Sequence, residues 1–324
     1  MSRLGPATLV ALAALLPPTL PQGAPRAYVS NERSATISVI DTATDRVVRT
    51  IPIGPRPRGM DVLGDRLFVA LSDDQPQATG DKDAIGLVDV TSGRLLRRFD
   101  AGTDPERLVV SRDGRLLIAA NEDAGTASIT DIDANRVLAT LVVGIEPEGV
   151  GLSPDGRWVY VTAETSNTVS VIDVAARKVV SNFLVDPRPR AVAFAPDGRR
   201  AYVTAEIGGS ISVVDVARHR VAAIVELPQP AKPVGVVIAP DSRTIFVANG
   251  HGNSVAFIDA GSLKVVATIP VGRRPWGIAV TPDGRKLYTA NGLSGDVTVI
   301  DVAGRKAVGT ITTGEGPWGV VIGR

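Results

Sequence analysis

Cysteine is absent from this chain, and with it go disulfides, thiol catalysis, covalent c-type haem attachment and a lipoprotein anchor. Histidine occurs only at His219 and His251, with no ligand spacing between them, so a histidine-built metal centre is not expected. Net charge is +1 and no basic run is interleaved with aromatics, which argues against nucleic acid or an anionic membrane surface as a partner. No nucleophile elbow is present. Long hydrophobic runs are missing too: Ala7–Leu16 is apolar over ten residues, too short to span a bilayer. With Arg3 before it and a proline-rich stretch after it, that run reads as the core of a secretory signal. Residues 1–24 are therefore expected to be an export segment, with the cleavage point open because Pro25 suits a cut after Ala24 poorly. A bacterial periplasm is the expected address, and residues 25–324 the working domain.

What the chain has in abundance is turns, built from 33 glycines and 23 prolines. Pro147–Asp186 shows how they are used. Gly149–Leu152 reads as a strand, Ser153–Gly156 (SPDG) as a tight turn, and Trp158–Ala163 as a second strand of β-branched and aromatic residues. Thr168–Asp173 alternates with period two, and Val179–Val185 closes the set. One four-stranded sheet cannot cover both its faces, so copies of it must stack together.

The copies can be counted. The third strand ends in Asp41, Asp89, Asp131, Asp173, Asp215, Asp259 and Asp301, each followed five residues later by a base: Arg46, Arg94, Arg136, Lys178, Arg220, Lys264 and Lys306. A first-strand proline recurs as Pro57, Pro105, Pro147, Pro189, Pro233, Pro275 and Pro317. The two series are out of phase at the ends. The chain begins with second to fourth strands (Ala27–Gly54) and finishes on a first strand (Gly316–Ile322). Pairing those ends closes a ring without an incomplete blade, which predicts an all-β, seven-bladed β-propeller of four-stranded antiparallel blades.

Strand direction then sorts the loops onto two faces. One carries seven near-identical turns, where the recurring Asp is expected to cap backbone N–H groups. The other carries the loops in which the copies differ. There the second strand ends in Glu32, Ser72, Glu122, Glu164, Glu206, Gly250 and Gly292, preceded in four blades by Asn31, Asn121, Asn249 and Asn291. Immediately after the prolines stand Arg58, Glu106, Glu148, Arg190, Val234, Trp276 and Trp318. These are expected near the central channel, because the first strand is innermost. Gly59, Gly149, Gly235, Gly277 and Gly319 follow and suit close packing round the axis.

The predicted mouth is asymmetric. Glu32, Glu122, Glu164 and Glu206 interleave with Arg56, Arg58, Arg107, Arg188 and Arg190 in one sector. Trp276, Trp318, Asn249, Asn291 and His251 make the opposite one. An aromatic wall facing a charged wall suits an amphiphilic ligand or a partner loop. The competing reading is an Arg/Glu rim that satisfies itself, with tryptophans plugging the channel. The long loop Ser72–Ala84 holds Asp73, Asp74, Asp81 and Asp83. It matches no calcium loop, so a solvated acidic loop is expected and no metal site is assigned.

The segments YVTAETSNTVSVID and YVSNERSATISVID, with the PDGR and P-x-G elements, resemble the YVTN family of β-propeller repeats over Ala27 to the C-terminus. RAYVSNE, GPRPRG, ANED, GIEPEG, TAEIGGSISVVDV and GPWGVV look more narrowly like the PQQ-dependent catabolism-associated β-propeller proteins. That resemblance implies an exported protein linked to pyrroloquinoline-quinone-dependent alcohol oxidation, without catalytic residues to carry over. Quinoprotein alcohol dehydrogenases have eight blades and tryptophan docking motifs, so direct binding of PQQ is not expected and no cofactor is assigned. The resemblance points to a noncatalytic, monomeric periplasmic propeller. Its partner would be a quinoprotein dehydrogenase, a cytochrome or a binding protein. A lactonase-like hydrolase using the mouth carboxylates with Arg58 or Arg190 is the alternative.

Overall fold

The computed structural model describes residues 25–72 and 83–323. It contains seven four-stranded antiparallel sheets. Blade 4 is representative: Pro147–Leu152, Trp158–Ala163, Thr168–Asp173 and Lys178–Leu184 pair in chain order from the axis outward. Blade 1 breaks that order. Pro317–Gly323 pairs with Arg26–Asn31, setting Gly323 opposite Arg26 and Pro317 opposite Asn31, and Thr36–Asp41 and Arg46–Pro52 complete the sheet. The ring is therefore closed by the strand and in the blade that the phase of the repeat required.

Each blade is held by burial on both faces. The second and third strands are almost wholly buried, whereas fourth strands such as Lys178–Leu184 alternate between exposed and half-buried residues. Adjacent sheets share their cores: Tyr28, Ile37 and Val39 of blade 1 pack with Leu67, Val69 and Leu71 of blade 2. Side chains such as Tyr160, Phe246 and Phe257 are fully closed off; each contributes about 1.5–3 kcal/mol by leaving water. On the uniform face the recurring Asp serves its own turn. Asp41 Oδ1 accepts from the amides of Ala43 and Thr44, Asp173 from Ala176, and Asp259 from Ser262. The ion pairs among the described residues do not join these Asp to the bases five residues on, so the repeated pair acts as a cap and not as a salt bridge.

The limits of two strand types differ from the sequence expectation. The inner strand of blade 4 starts at Pro147 and not Gly149. The register then shifts: Pro147 faces Ala163 and Val150 faces Val161, so Glu148 and Gly149 together oppose Thr162. The same irregularity follows the proline in every blade. This bulge re-aims the residue after the proline. The closing strand is Pro317–Gly323 and not Gly316–Ile322, because Gly316 holds φ +63° and belongs to the turn. The expected export segment (1–24) and Asp73, Asp74 and Asp81 of the long loop lie outside the described residues. No helix among the described residues is long and apolar enough to cross a membrane.

Neighbouring inner strands are joined by buried hydroxyls as well as by packing. Thr204 Oγ1 donates to the Val234 carbonyl at 2.7 Å and accepts from the Ala191 amide at 3.0 Å. Ser30 Oγ serves the Arg58 carbonyl and the Gly319 amide in the same way. Thr204→Val keeps the shape and leaves a buried N–H and C=O without this partner. It is expected to cost about 1–3 kcal/mol, read as a lower urea midpoint with an unchanged slope.

Candidate functional site

Three residues from each blade converge on the variable face. The first ends the second strand, the second precedes the inner-strand proline and the third follows it. The residue before the proline is left-handed in every blade: Arg56, Asp104, Glu146, Arg188, Lys232 and Arg274, with φ between 43° and 63°, and Gly316. Non-glycine residues hold the same conformation in turns elsewhere in the chain, such as Asp45, Asn135 and Arg177 on the uniform face, so it serves the turn. The carbonyls of the residues before the prolines accept from the strand-end amides: Glu122 N–H donates to Asp104 O at 2.9 Å, and Glu206 N–H to Arg188 O at 2.8 Å. That bond locks the first ring to the second.

Read blade by blade, the charges are segregated. Blades 3 and 4 contribute only acids (Asp104, Glu106, Glu122; Glu146, Glu148, Glu164). Blades 2 and 5 flank them with Arg56, Arg58, Arg188 and Arg190, and blades 6, 7 and 1 bring Val234, Trp276 and Trp318. Ion pairs cross the blade boundaries. Arg56 meets Asp104 at 2.8 Å and Glu32 at 3.3 Å, while Arg58 meets Glu32 at 2.9 Å and is paired with Glu106. Arg190 is paired with Glu164 and stands 3.3 Å from Glu148. Arg188 lies 2.9 Å from Glu164, and Arg274 is 2.8 Å from Glu206. Glu106, Glu148, Glu164, Glu206 and Arg190 are all buried, so these pairs are shielded from the solvent screening that weakens surface salt bridges.

The aromatic and charged walls do not face each other across an open mouth, as the sequence suggested; they meet. Trp276 and Trp318 stack with centroids 6.3 Å apart and planes 19° from parallel. Arg107 and Arg58 lie over Trp318 at 4.6 and 5.8 Å, and Arg274 and Arg190 over Trp276 at 4.0 and 5.2 Å. The physical reason is the length of arginine. Its side chain reaches from one blade across the axis, and a desolvated guanidinium over an indole face gains about 2 kcal/mol.

Glu122 stands apart from this engagement. Its side chain makes no hydrogen bond or ion pair among the described residues. Burial, with Glu148 and Asp104 close by, raises its pKa to about 7 against the pull of Arg58 and Arg190. Its carboxylate lies within 4.8 Å of those of Asp104 and Glu106. Such a triad has the oxygens a hard cation takes, but Arg56 and Arg58 already neutralise two of its members. Beside Glu122 a groove of about 550 Å³ opens between the loops of blades 3 and 4, lined by Glu122, Gly125, Val142, Ile145 and Glu146.

The other expected residues divide. Glu32, Arg58, Arg190, Glu164, Glu206, Trp276 and Trp318 belong to the cluster. His251 sits at its rim, largely exposed, with Nε2 3.9 Å from Glu206. Asn249 and Asn291 are buried and hold their own loops: Asn249 Nδ2 donates to Ser254, and Asn291 Nδ2 to Asp296 and Thr298. They are not on the accessible lining, since a strand-end amide is worth more to the adjoining turn than to solvent. Asp104 and Arg274 were missed as site residues, because their left-handed position gave no signal in the sequence; Arg107, which the sequence placed at the mouth, does lie there, over Trp318.

Fold and site together define a seven-bladed β-propeller with a charged, tryptophan-stacked mouth. The family model described as "Lactonase, 7-bladed beta-propeller" matches residues 186–314, and the Cytochrome D1 heme domain model matches residues 78–185. No curated protein matches the chain. Among solved structures, hydrazine synthase of Kuenenia stuttgartiensis is similar at 21% identity and TM-score 0.75, over 85% of this chain and 92% of that one. A proposed 6-phosphogluconolactonase from Bacteroides fragilis is similar at 18% identity and TM-score 0.76, over 95% and 100%. A protein from Lactobacillus plantarum gives 18% and 0.79, over 93% and 99%. At these identities the likeness is one of fold. The described lining of the mouth does not suit a haem: its two indoles stack on each other beneath arginines, its charges are paired, and its one imidazole, His251, sits exposed at the rim beside Glu206. His219, on the other face, is held by Tyr160 at 2.7 Å.

Proposed function

We propose that this propeller is a lactonase-like hydrolase that opens a small cyclic ester at the mouth. Glu122 carries the reading: a half-buried carboxyl with no side-chain partner, raised to about 7, is poised as a general base at neutral pH. The lactonase model over residues 186–314 and the lactonase fold of similar propellers support it. Glu164 and Glu206, two other mouth carboxylates, are each bound to guanidinium groups and serve less well.

In the reaction Glu122 takes a proton from water as the water oxygen bonds to the lactone carbonyl carbon. The resulting oxyanion is stabilised by a nearby guanidinium, Arg58 or Arg190. The ring C–O bond then breaks, the departing alkoxide recovers the proton from Glu122, and a hydroxy acid leaves. The purified chain is expected to hydrolyse simple δ- and γ-lactones faster than buffer alone. Its rate should climb as pH rises through about 7, because only the ionised base works, and level off above. A set of lactones hydrolysed no faster than in buffer would sink the assignment.

A second reading is favoured by the cluster's own pairing: a mouth whose charges and indoles are engaged with one another is also the surface of a noncatalytic binding protein. On that reading the chain is an exported accessory of PQQ-linked oxidation. Its test is recovery of a quinoprotein dehydrogenase, cytochrome or binding protein by pull-down from periplasm.

A further inference from the structure

Arg107 breaks the rule of its column. Two places after the inner-strand proline stand Gly59, Gly149, Gly235, Gly277 and Gly319 in five blades and Ala191 in a sixth. The reason is steric: a Cβ at Gly59 would lie 2.4 Å from the Glu106 carbonyl oxygen, and one at Gly319 2.7 Å from that of Arg58. The fold asks for the smallest side chain here, and blade 3 supplies one of the largest.

What Arg107 does there is incomplete. Its guanidinium lies 4.6 Å over Trp318, while Nε and Nη2 are both shut off from solvent and neither has an acceptor. Burial lowers its pKa to about 10, with Glu148 opposing and Arg190 adding to the fall, so it stays charged at neutral pH. The charge of Glu148 acts on it, but that carboxylate stands 3.3 Å from Arg190 Nη2. A half-buried cation with two closed-off, idle donors destabilises the fold, at a position where glycine would avoid the problem. Its contact with Trp318 occupies the face of the guanidinium and leaves those two donors unused, and a side chain that breaks a local rule with part of its bonding capacity idle marks function.

The idle donors define the ligand. Nε–H and the Nη2–H beside it lie along one edge of the guanidinium, the edge that takes two oxygens of a carboxylate or phosphate in parallel. We infer that Arg107 is the anchor of an oxyanion subsite at the inner end of the mouth, with Trp318 stacked behind it. The ligand is a small molecule bearing a carboxylate or phosphate; on the hydrolase reading, on which this assignment of substrate class rests, it is an anionic lactone or its hydroxy acid. Because the edge is closed, an arriving anion displaces the side chains over it, and indole emission reports the event.

The test is titration of the purified chain with gluconate, inorganic phosphate and neutral glucose at fixed ionic strength, followed by calorimetry and tryptophan emission. At least one anion is expected to bind where glucose does not, and which of the two binds identifies the group. Arg107→Gln should weaken that binding at least tenfold, and Arg107→Lys by less. Arg107→Gly, the residue the column prefers, should raise Tm while abolishing anion binding. A lower Tm in Arg107→Gly, equal anion affinity in wild type and Arg107→Gln, or no anion binding overturns the inference. Arg107-dependent anion binding by a chain that turns over no lactone removes the hydrolase reading and keeps the subsite. Lactone turnover indifferent to Arg107→Gly does the reverse.

Discussion

Glu122→Gln is expected to lower kcat for lactone opening by about 10²–10⁴-fold with little change in KM. Glutamine keeps the shape of the side chain and cannot take a proton from water. The same substitution should strengthen the fold at high pH, and the sign follows from linkage. The native pKa of Glu122 is raised to about 7, so between its ordinary value and 7 the native state holds a proton that the unfolded chain has lost. Stability therefore falls as pH climbs through that window, and the full penalty is present above 7. Removing the ionisable group relieves it, by about 1 kcal/mol once solvent screening of a half-exposed carboxyl is allowed for. Parallel kcat and denaturation measurements at pH 8 and pH 5 check both halves. A variant that loses activity and stability together would mark Glu122 as structural.

Arg190→Ala should destabilise the chain by about 3–5 kcal/mol, the largest loss expected of any single mouth substitution. Arg190 is buried, is paired with Glu164, stands near Glu148 and Glu206, and lies over Trp276. Its removal leaves buried carboxylates short of a cation, Glu148 with none among the described residues and Glu164 and Glu206 with only Arg188 and Arg274, and an unpaired buried charge costs more than the pair ever contributed. Two controls separate that cause from simple loss of packing. The deficit should shrink as pH falls and the orphaned carboxylates protonate. Arg190→Met combined with Glu164→Met should recover much of it, giving a coupling of several kcal/mol in a double-mutant cycle. A deficit that is flat with pH would assign the loss to packing over Trp276.

How much of this was legible in the sequence depended on whether a feature repeats. The Asp series, the proline series and their phase gave blade number, strand order and the closing pair, because every blade solves the same burial problem with the same turn chemistry. The mouth was legible only as a set of positions. Arg58, Arg190, Trp276 and Trp318 were placed near the axis by the proline before them, and Glu164 at the mouth by the end of its second strand. Their pairing was not, since it depends on how far an arginine from one blade reaches into another. Glu122 could not be told from Glu164 or Glu206 by its column; its charged neighbours come from blades 2, 4 and 5 as well as its own. Arg107 was visible as an exception among glycines, but a column read for its rule hides the member that breaks it. Asn249 and Asn291 misled because a strand end looks accessible until the adjoining turn is built over it.

The closing strand has a consequence for the order of assembly. Arg26–Asn31 can find its partner only when Pro317–Gly323 has left the ribosome. Bringing those segments together across nearly the whole chain costs about 5 kcal/mol of loop-closure entropy. Until then blade 1 presents a bare edge on its axial side, and Trp318, one half of the indole stack, is missing. A nascent or truncated chain is thus open, sticky and without its site at the same time. Emergence of the closing strand, closure of the ring and assembly of the mouth become a single event.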